Sequence, residues 1–200
     1  MAITSIKTGS SFTNLKKYND FLAGNAPYDP SEFESIATTT VSTAVSSITF
    51  SSIPATYTHL QIRCTIQEDA AGLAYDNLIA RFNGDTASNY SRHQLVGDGS
   101  AASTFALASR TFAVCGFGVR NATGVSVFSP NVIDILDYAN TNKYKTVRAL
   151  AGADWNGGGS VGLLSAGWFS TSAITSIVLS LDSSLNFTQY SSFALYGIKG

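Results

Sequence analysis

Residues 58–67, THLQIRCTIQ, decide how the rest of the chain is read. Leu60, Ile62, Cys64 and Ile66 recur at every second position, and His59, Gln61, Arg63, Thr65 and Gln67 fill the alternate ones. Successive side chains of an extended chain point to opposite faces, so this pattern predicts a strand with one face on a core and one on water. Just upstream, residues 47–53 (SITFSSI) form a second extended run, and Pro54-Ala55 turns the chain between the two. A proline has no N–H to donate, which places it at a corner and not in a central strand.

Outward from this pair, strand and turn signals alternate across residues 33–200. FESIATTTV opens the series, and further extended runs fall at 77–82, 90–96, 111–119, 125–128, 132–136, 144–150, 161–169, 174–181 and 192–198. Between them lie Asn83-Gly84, suited to positive backbone angles, a loop at 97–103 (GDGSAAS), a turn at 121–124, DYANTNK, and Gly157-Gly158-Gly159. About ten short strands at this spacing, with no alternation of strand and helix, predict an all-β chain. The best match is a jelly-roll-like antiparallel β-sandwich domain spanning residues 33–200.

Residues 1–32 follow a different pattern. Thr13 or Asn14 can cap a short helix, Leu15, Tyr18 and Leu22 recur at helical spacing with Phe21 beside them, and Gly24-Asn25 supplies a stop. About ten residues of helix do not persist alone, so this stripe needs a surface to pack on. That surface is either the chain's own sandwich or another subunit or particle. Pro27 and Pro30 stiffen the link to the first strand. The segment is therefore expected to be a short helical N-terminal arm, with Leu15, Tyr18, Phe21 and Leu22 as its anchoring residues.

Charged residues make up 12% of the 200-residue chain, against roughly 25% in an average globular protein. Serine and threonine take over much of the polar role. A surface partly covered in an assembly and a Ser/Thr-coated sandwich both account for this. A net charge of −1 gives no concentrated positive field for nucleic acid. No apolar run approaches the ~20 residues of a membrane helix, and MAITSIKTGSS lacks the apolar centre of a secretory signal. Cys64 and Cys115 both sit in apolar strand patterns and are expected as buried free thiols.

The residues that usually carry chemistry are sparse. His59 and His93 are the two histidines, neither at zinc-ligand spacing, and both are expected on the surface. The sequence around Ser165 (GLLSAG) has the wrong spacing for a nucleophile elbow. Asp134, Asp154 and the pair Glu68-Asp69 are read as solvated strand-end carboxylates, and Gly97-Asp98-Gly99 is too short for a calcium or phosphate loop. Trp155, Trp168, Tyr138 and Tyr90 are more naturally packing residues than a sugar-stacking platform. No cofactor, metal or catalytic residue is expected.

Five stretches nonetheless resemble a known group: SIKTGSSFTNLKKYNDFLAGN, ITFSSIPATYTHLQIR, ARFNGDTASNYSRH, VIDILDYANTNKYKT and YSSFALYGIKG. Together they are similar to virion structural proteins of tailed bacteriophages. The resemblance implies a jelly-roll-like domain displayed on the particle and attached by its N-terminal segment, with no enzymatic residues to carry over. It places the chain among head decoration proteins or tail fibre and baseplate accessories, with other virion proteins as partners and the virion as its location. A homo-oligomer, in the first place a trimer, is expected on the particle. A tail fibre module that recognises host-surface glycan is the alternative, and a carbohydrate-active enzyme the third reading.

Overall fold

The computed structural model describes residues 33–121, 126–155 and 157–199. The expected arm, with Leu15, Tyr18, Phe21 and Leu22, lies outside them. The described residues form twelve strands and no helix: β1 (Phe33–Thr40), β2 (Ser47–Phe50), β3 (His59–Glu68), β4 (Tyr75–Phe82), β5 (Tyr90–Gly97), β6 (Ala102–Arg110), β7 (Ala113–Arg120), β8 (Ser129–Leu136), β9 (Lys145–Asp154), β10 (Gly159–Trp168), β11 (Ile177–Leu181) and β12 (Ser192–Ile198). The all-β expectation holds. Two strands are corrected: residues 126–128 of the run expected at 125–128 are not strand, since β8 begins at Ser129, and β6 falls in or after the expected 97–103 loop.

All twelve strands belong to one hydrogen-bonded sheet system, within which two arrays are distinct. The wider runs β1-β12-β3-β8-β9-β10-β5-β6 and the narrower β2-β11-β4-β7. Every pairing is antiparallel except a short parallel seam, where Gln67 and Glu68 at the end of β3 meet Val119 and Arg120 of β7. Strand β7 also packs across the core on β8, β9 and β10.

β3 lies as its alternation requires, with Leu60, Ile62, Cys64 and Ile66 all buried and Arg63 and Thr65 exposed. The alternation breaks at the seam, where Gln67 and Glu68 are both buried because β3 leaves one array there and borders the other. Cys64 and Cys115 are buried free thiols. Asn83 has φ of 52°, and its side chain ties the turn to the neighbouring loop. Its Oδ1 accepts the Thr175 and Ser176 amides at 2.8 and 3.1 Å, and its Nδ2 donates to the Ala173 carbonyl at 2.8 Å.

Below the seam, β7 has a ladder partner on one side only, β4. Its other backbone edge at Phe117 is met by a side chain. Asn131 of β8 accepts the Phe117 N–H at 2.8 Å and donates its amide to the Phe117 carbonyl at 3.0 Å and to the Ser129 carbonyl at 3.1 Å. A carboxamide offers the same donor and acceptor as a peptide unit, so Asn131 stands in for a missing strand residue. The approach is close enough that a Cβ at Gly116 would lie 2.4 Å from Asn131 Oδ1. Gly162 of β10 is needed for the same reason, because a Cβ there would lie 2.6 Å from the Phe117 ring.

At the seam, the Glu68 side chain is fully buried. Arg120 Nε bonds its Oε1 at 2.9 Å, and Oε2 has no hydrogen-bond partner. Burial, with Asp76 adding repulsion, pushes the carboxyl up to about 7 against the opposing pull of Arg120.

Two predictions follow from the joints between the arrays. Asn131→Leu leaves the Phe117 amide and carbonyl buried without partners and should lower unfolding free energy by about 2–4 kcal/mol. Val132→Thr, one position along on the exposed side, should stay within about 0.5 kcal/mol in the same urea titrations. Equal losses would show that the amide bridge is not what joins the layers. For Glu68, the unfolded carboxyl titrates near 4.5 while the folded one holds its proton to about 7. Between those values the folded state binds more protons, so stability should fall as pH rises, by on the order of 2–3 kcal/mol. Glu68→Gln cannot titrate and should flatten melting temperature against pH across that window.

Candidate interaction face

Two hairpin units, β5–β6 and β9–β10, widen the larger array beyond the reach of the smaller one. Several of their inward positions hold small residues, where β7 lies close beneath them. Along β9 the buried set is Lys145, Val147, Ala149, Ala151 and Ala153, and along β10 it includes Leu164, Ala166 and Trp168. The outward positions hold the larger aliphatics, the reverse of what core packing alone would select. Register aligns four of them in a row across neighbouring strands: Val132 opposite Leu150, Leu150 opposite Leu163, Leu163 opposite Leu95. They are 37%, 51%, 56% and 46% exposed. Val161 stands two residues along β10, also exposed.

Beside this apolar row runs a polar one. Gln61 Nε2 donates to Asp134 Oδ1 at 2.8 Å, and Arg148 Nη2 to Oδ2 at 2.9 Å, so the carboxylate is held on both sides. An exposed pair of this kind stabilises by about 0–1 kcal/mol. Its effect here is to keep the charges engaged with one another next to the aliphatics. Where the two rows meet, Leu95, Leu163, His93, Arg148, Ser165 and Ala106 line a shallow hollow of about 530 Å³. A second hollow of about 590 Å³ lies at the end of the face, between the Gly97–Gly99 turn and the glycines at 157–159. Asp98 at its edge is committed to the turn: its Oδ1 accepts from the Ser100 and Ala101 amides at 2.8 and 2.7 Å. Those bonds hold its carboxyl down at about 2.

The residues weighed for chemistry do not converge. His59 and His93 lie on β3 and β5, four strand spacings or roughly 19 Å apart. His59 is half-buried, its Nδ1 accepting the Asp137 amide at 3.0 Å, and His93 is exposed. Among the described residues no cluster of three or more His, Cys, Asp or Glu side chains could hold a metal ion. Glu68 is buried at the seam, Asp69 is bound by Asn186, and Asp134 sits in mid-strand, so the expectation of solvated strand ends fails for Glu68 and Asp134.

Of the four aromatics weighed as sugar platforms, three are buried. Tyr90 O–H donates to the Asp85 carbonyl at 3.2 Å, Trp168 Nε1 donates to Asp85 Oδ2 at 2.7 Å, and Tyr138 O–H donates to the Pro54 carbonyl. Trp155 is half-buried and packs toward Tyr75, ring centres 6.5 Å apart. The packing reading holds for all four. The exposed aromatic pair is elsewhere, Tyr144 and Phe169, edge to face at 5.6 Å.

Sequence reasoning missed Lys145. It is fully buried, its Nζ donating to the carbonyls of Asn140, Lys143 and Thr171 at 2.5, 2.8 and 3.2 Å. Burial lowers its pKa, with Asp137 pulling the other way. Three carbonyls around one ammonium gather the 137–144 and 170–172 loops, which is a structural role.

If the aliphatic row serves contact and not the fold, Leu150→Thr combined with Leu163→Thr should hold the melting temperature within a few degrees. The same double substitution should reduce binding of an apolar surface dye. A large fall in melting temperature would instead make the row part of the packed structure.

Comparison with models of protein families finds none that matches this chain, and comparison with curated proteins finds no match either.

Proposed function

We propose that this chain is a non-enzymatic structural protein of a tailed-bacteriophage virion, an accessory subunit built on a jelly roll and displayed on the head or tail. The observation that carries the reading is the strand order. With hairpin units β5–β6 and β9–β10 set aside as insertions, eight strands remain, and they pair first with last throughout. β1 pairs with β12, β2 with β11, β3 with β8, and β4 with β7. A long antiparallel hairpin rolled into two layers gives these pairings, with the first, eighth, third and sixth strands in one layer and the second, seventh, fourth and fifth in the other. The arrays β1-β12-β3-β8 and β2-β11-β4-β7 follow that order. Jelly rolls recur in capsid proteins, which agrees with the resemblance of the sequence to virion proteins.

The uncovered aliphatic row supports the same reading. A contiguous apolar strip on the outside of a sheet marks a surface that meets another protein, here other virion proteins or copies of this chain. Residues 1–32 supply the attachment, through Leu15, Tyr18, Phe21 and Leu22, and the virion is the location. The alternative, a tail fibre module for host-surface glycan, draws on the exposed Tyr144–Phe169 pair, since sugar rings pack on exposed aromatic faces.

The test uses particles lacking this protein. The full chain added to them should sediment with the particles, while a chain starting at Ser31 should keep a cooperative melt and stay in the supernatant. A full chain that never joins particles but binds on a host glycan array would replace the first reading with the second. A truncated chain that aggregates would place residues 1–32 in the fold and remove their anchoring role.

A further inference from the structure

Strand β6 ends the wider array, with β5 as its one partner strand. None of its residues is buried. Phe105 and Leu107 are 48% and 44% exposed. Phe105 stands opposite Gln94 and Leu107 opposite Arg92, and Gln94 is buried, so both apolar side chains lie on the core-facing side. There the narrower array has already ended at β7, and the Arg92 guanidinium lies over the Phe105 ring, 5.5 Å from its centre, leaving both apolar side chains about half exposed among the described residues. The edge carries no charge from Ala102 to Ser109. Proteins protect edge strands with lysine, proline, inward charges or bulges. Here the one irregularity, the positive φ of 54° at Ser109 and the shift against Tyr90 and Arg92, falls at the far end. Residues 102–108 remain a straight, unprotected edge.

We propose that β6 pairs antiparallel with β6 of a second copy of this chain, about a two-fold axis at Phe105, joining two wide arrays into one continuous sheet. Residues 102–108 are centred on Phe105, so the pairing sets Phe105 against its own copy, Leu107 against Ser103, and Thr104 against Ala106. Identical antiparallel strands meet by two-fold symmetry, so each contact is made twice. The two Phe105 rings and the diagonal Leu107 side chains then cover one another in the gap beyond β7. On the other side, small Thr104 and Ala106 let the two hollows beside Leu95 and Leu163 lie next to each other across the axis.

Charge favours a second copy over an unlike strand. The paired stretch itself has no ionic group, the Arg92 guanidinium beside it is engaged with Gln94 Oε1 at 2.9 Å and with the Phe105 ring, and a net charge of −1 adds little repulsion. A seven-residue edge is roughly 24 Å long. With side chains projecting on both sides, the contact falls at the low end of specific interfaces, on the order of 1,000 Å². Association is therefore expected to depend on concentration. The pairing gives a homo-oligomer a surface, with a two-fold symmetry in place of the trimer expected from the sequence, and it uses nothing from the particle reading.

Sedimentation velocity of the full chain over a range of concentrations should show monomer passing to dimer. Ala106→Lys, which sets a long cation against Thr104 and diagonally across the axis from its own copy, should weaken association about tenfold or more with an unchanged melting temperature. Phe105→Cys should form a covalent dimer under mild oxidation, since directly opposed residues have Cα atoms ~4.5–5.5 Å apart. Cys64 and Cys115 are buried thiols pushed well above their ordinary range, so they do not compete. Leu73→Cys, exposed in a loop far from the edge, should stay monomeric under the same oxidant. A trimer by mass, a monomer at every concentration, or a dimer that tolerates Ala106→Lys would each overturn the pairing. Failure to join particles would leave it standing.

Discussion

The amide bridge between Asn131 and the backbone of Phe117 is the constraint on which the rest of the structure depends. A strand that borders the core at the margin of its array cannot leave N–H and C=O groups without partners, because water does not reach them. β7 meets that requirement in two ways. Near its end, at Val119 and Arg120, β3 comes alongside as a parallel partner. At Phe117, the Asn131 carboxamide takes the place of a peptide. Several neighbours follow from this choice. Position 116 has to be glycine to admit the Asn131 amide, and the register of β4 against β7 shifts there, between Leu78 and Ile79. Cys115 falls at the shift and donates its S–H to the Leu78 carbonyl at 3.5 Å. With β7 held so close to β8, the inward positions directly over it are small, Gly162 under the Phe117 ring and the alanines of β9, while Lys145, Leu164 and Trp168 fill the inward side elsewhere along these strands.

That closeness explains which elements were legible in the sequence. β3 packs on one face over most of its length, so its alternation of apolar and polar residues is clean. β6 packs on neither face, and ASTFALASR accordingly shows no alternation to read. β9 and β10 alternate, yet around Ala149–Ala151 and Val161–Leu163 the sense of size is reversed, with alanine and glycine inward and leucine and valine outward. Periodicity still identifies such strands, but hydrophobicity assigns their faces wrongly, and the outward row Val132–Leu150–Leu163–Leu95 emerges only from the register. The eight-strand pairing order was likewise beyond periodicity, since it depends on which strands meet across long separations.

The polar members of the interior were illegible for a related reason. Gln67, Glu68, Asn131 and Lys145 sit at positions where a pattern rule expects either an apolar residue or a solvated one. Asn131 and Lys145 are buried because they replace something the backbone lacks: a strand partner for β7 at Asn131, and a closing contact for two loops at Lys145. Glu68 is different in kind. Its partner Arg120 satisfies one oxygen and leaves the other unbonded, so the seam holds a carboxyl that is protonated into the neutral range. In a chain with so few charged residues, the seam where the two arrays join is thus the most pH-sensitive part of the interior.

The uncovered surfaces have a single geometric origin. The two hairpin units add four strands to one array and none to the other, so one is wider by four spacings, roughly 19 Å. Part of that overhang is filled by β7 lying across β9 and β10. What extends past β7 has a core-facing side with little core, which is where Phe105 and Leu107 are found, while the outer side of the widened array, from β8 to β5, carries the aliphatic row. An eight-stranded array matched by an equally wide partner would have buried the first pair and had no free apolar edge. Apolar residues in both places are thus left partly uncovered by the rest of the described residues, which is the feature that the proposed contacts with other copies or other proteins would use.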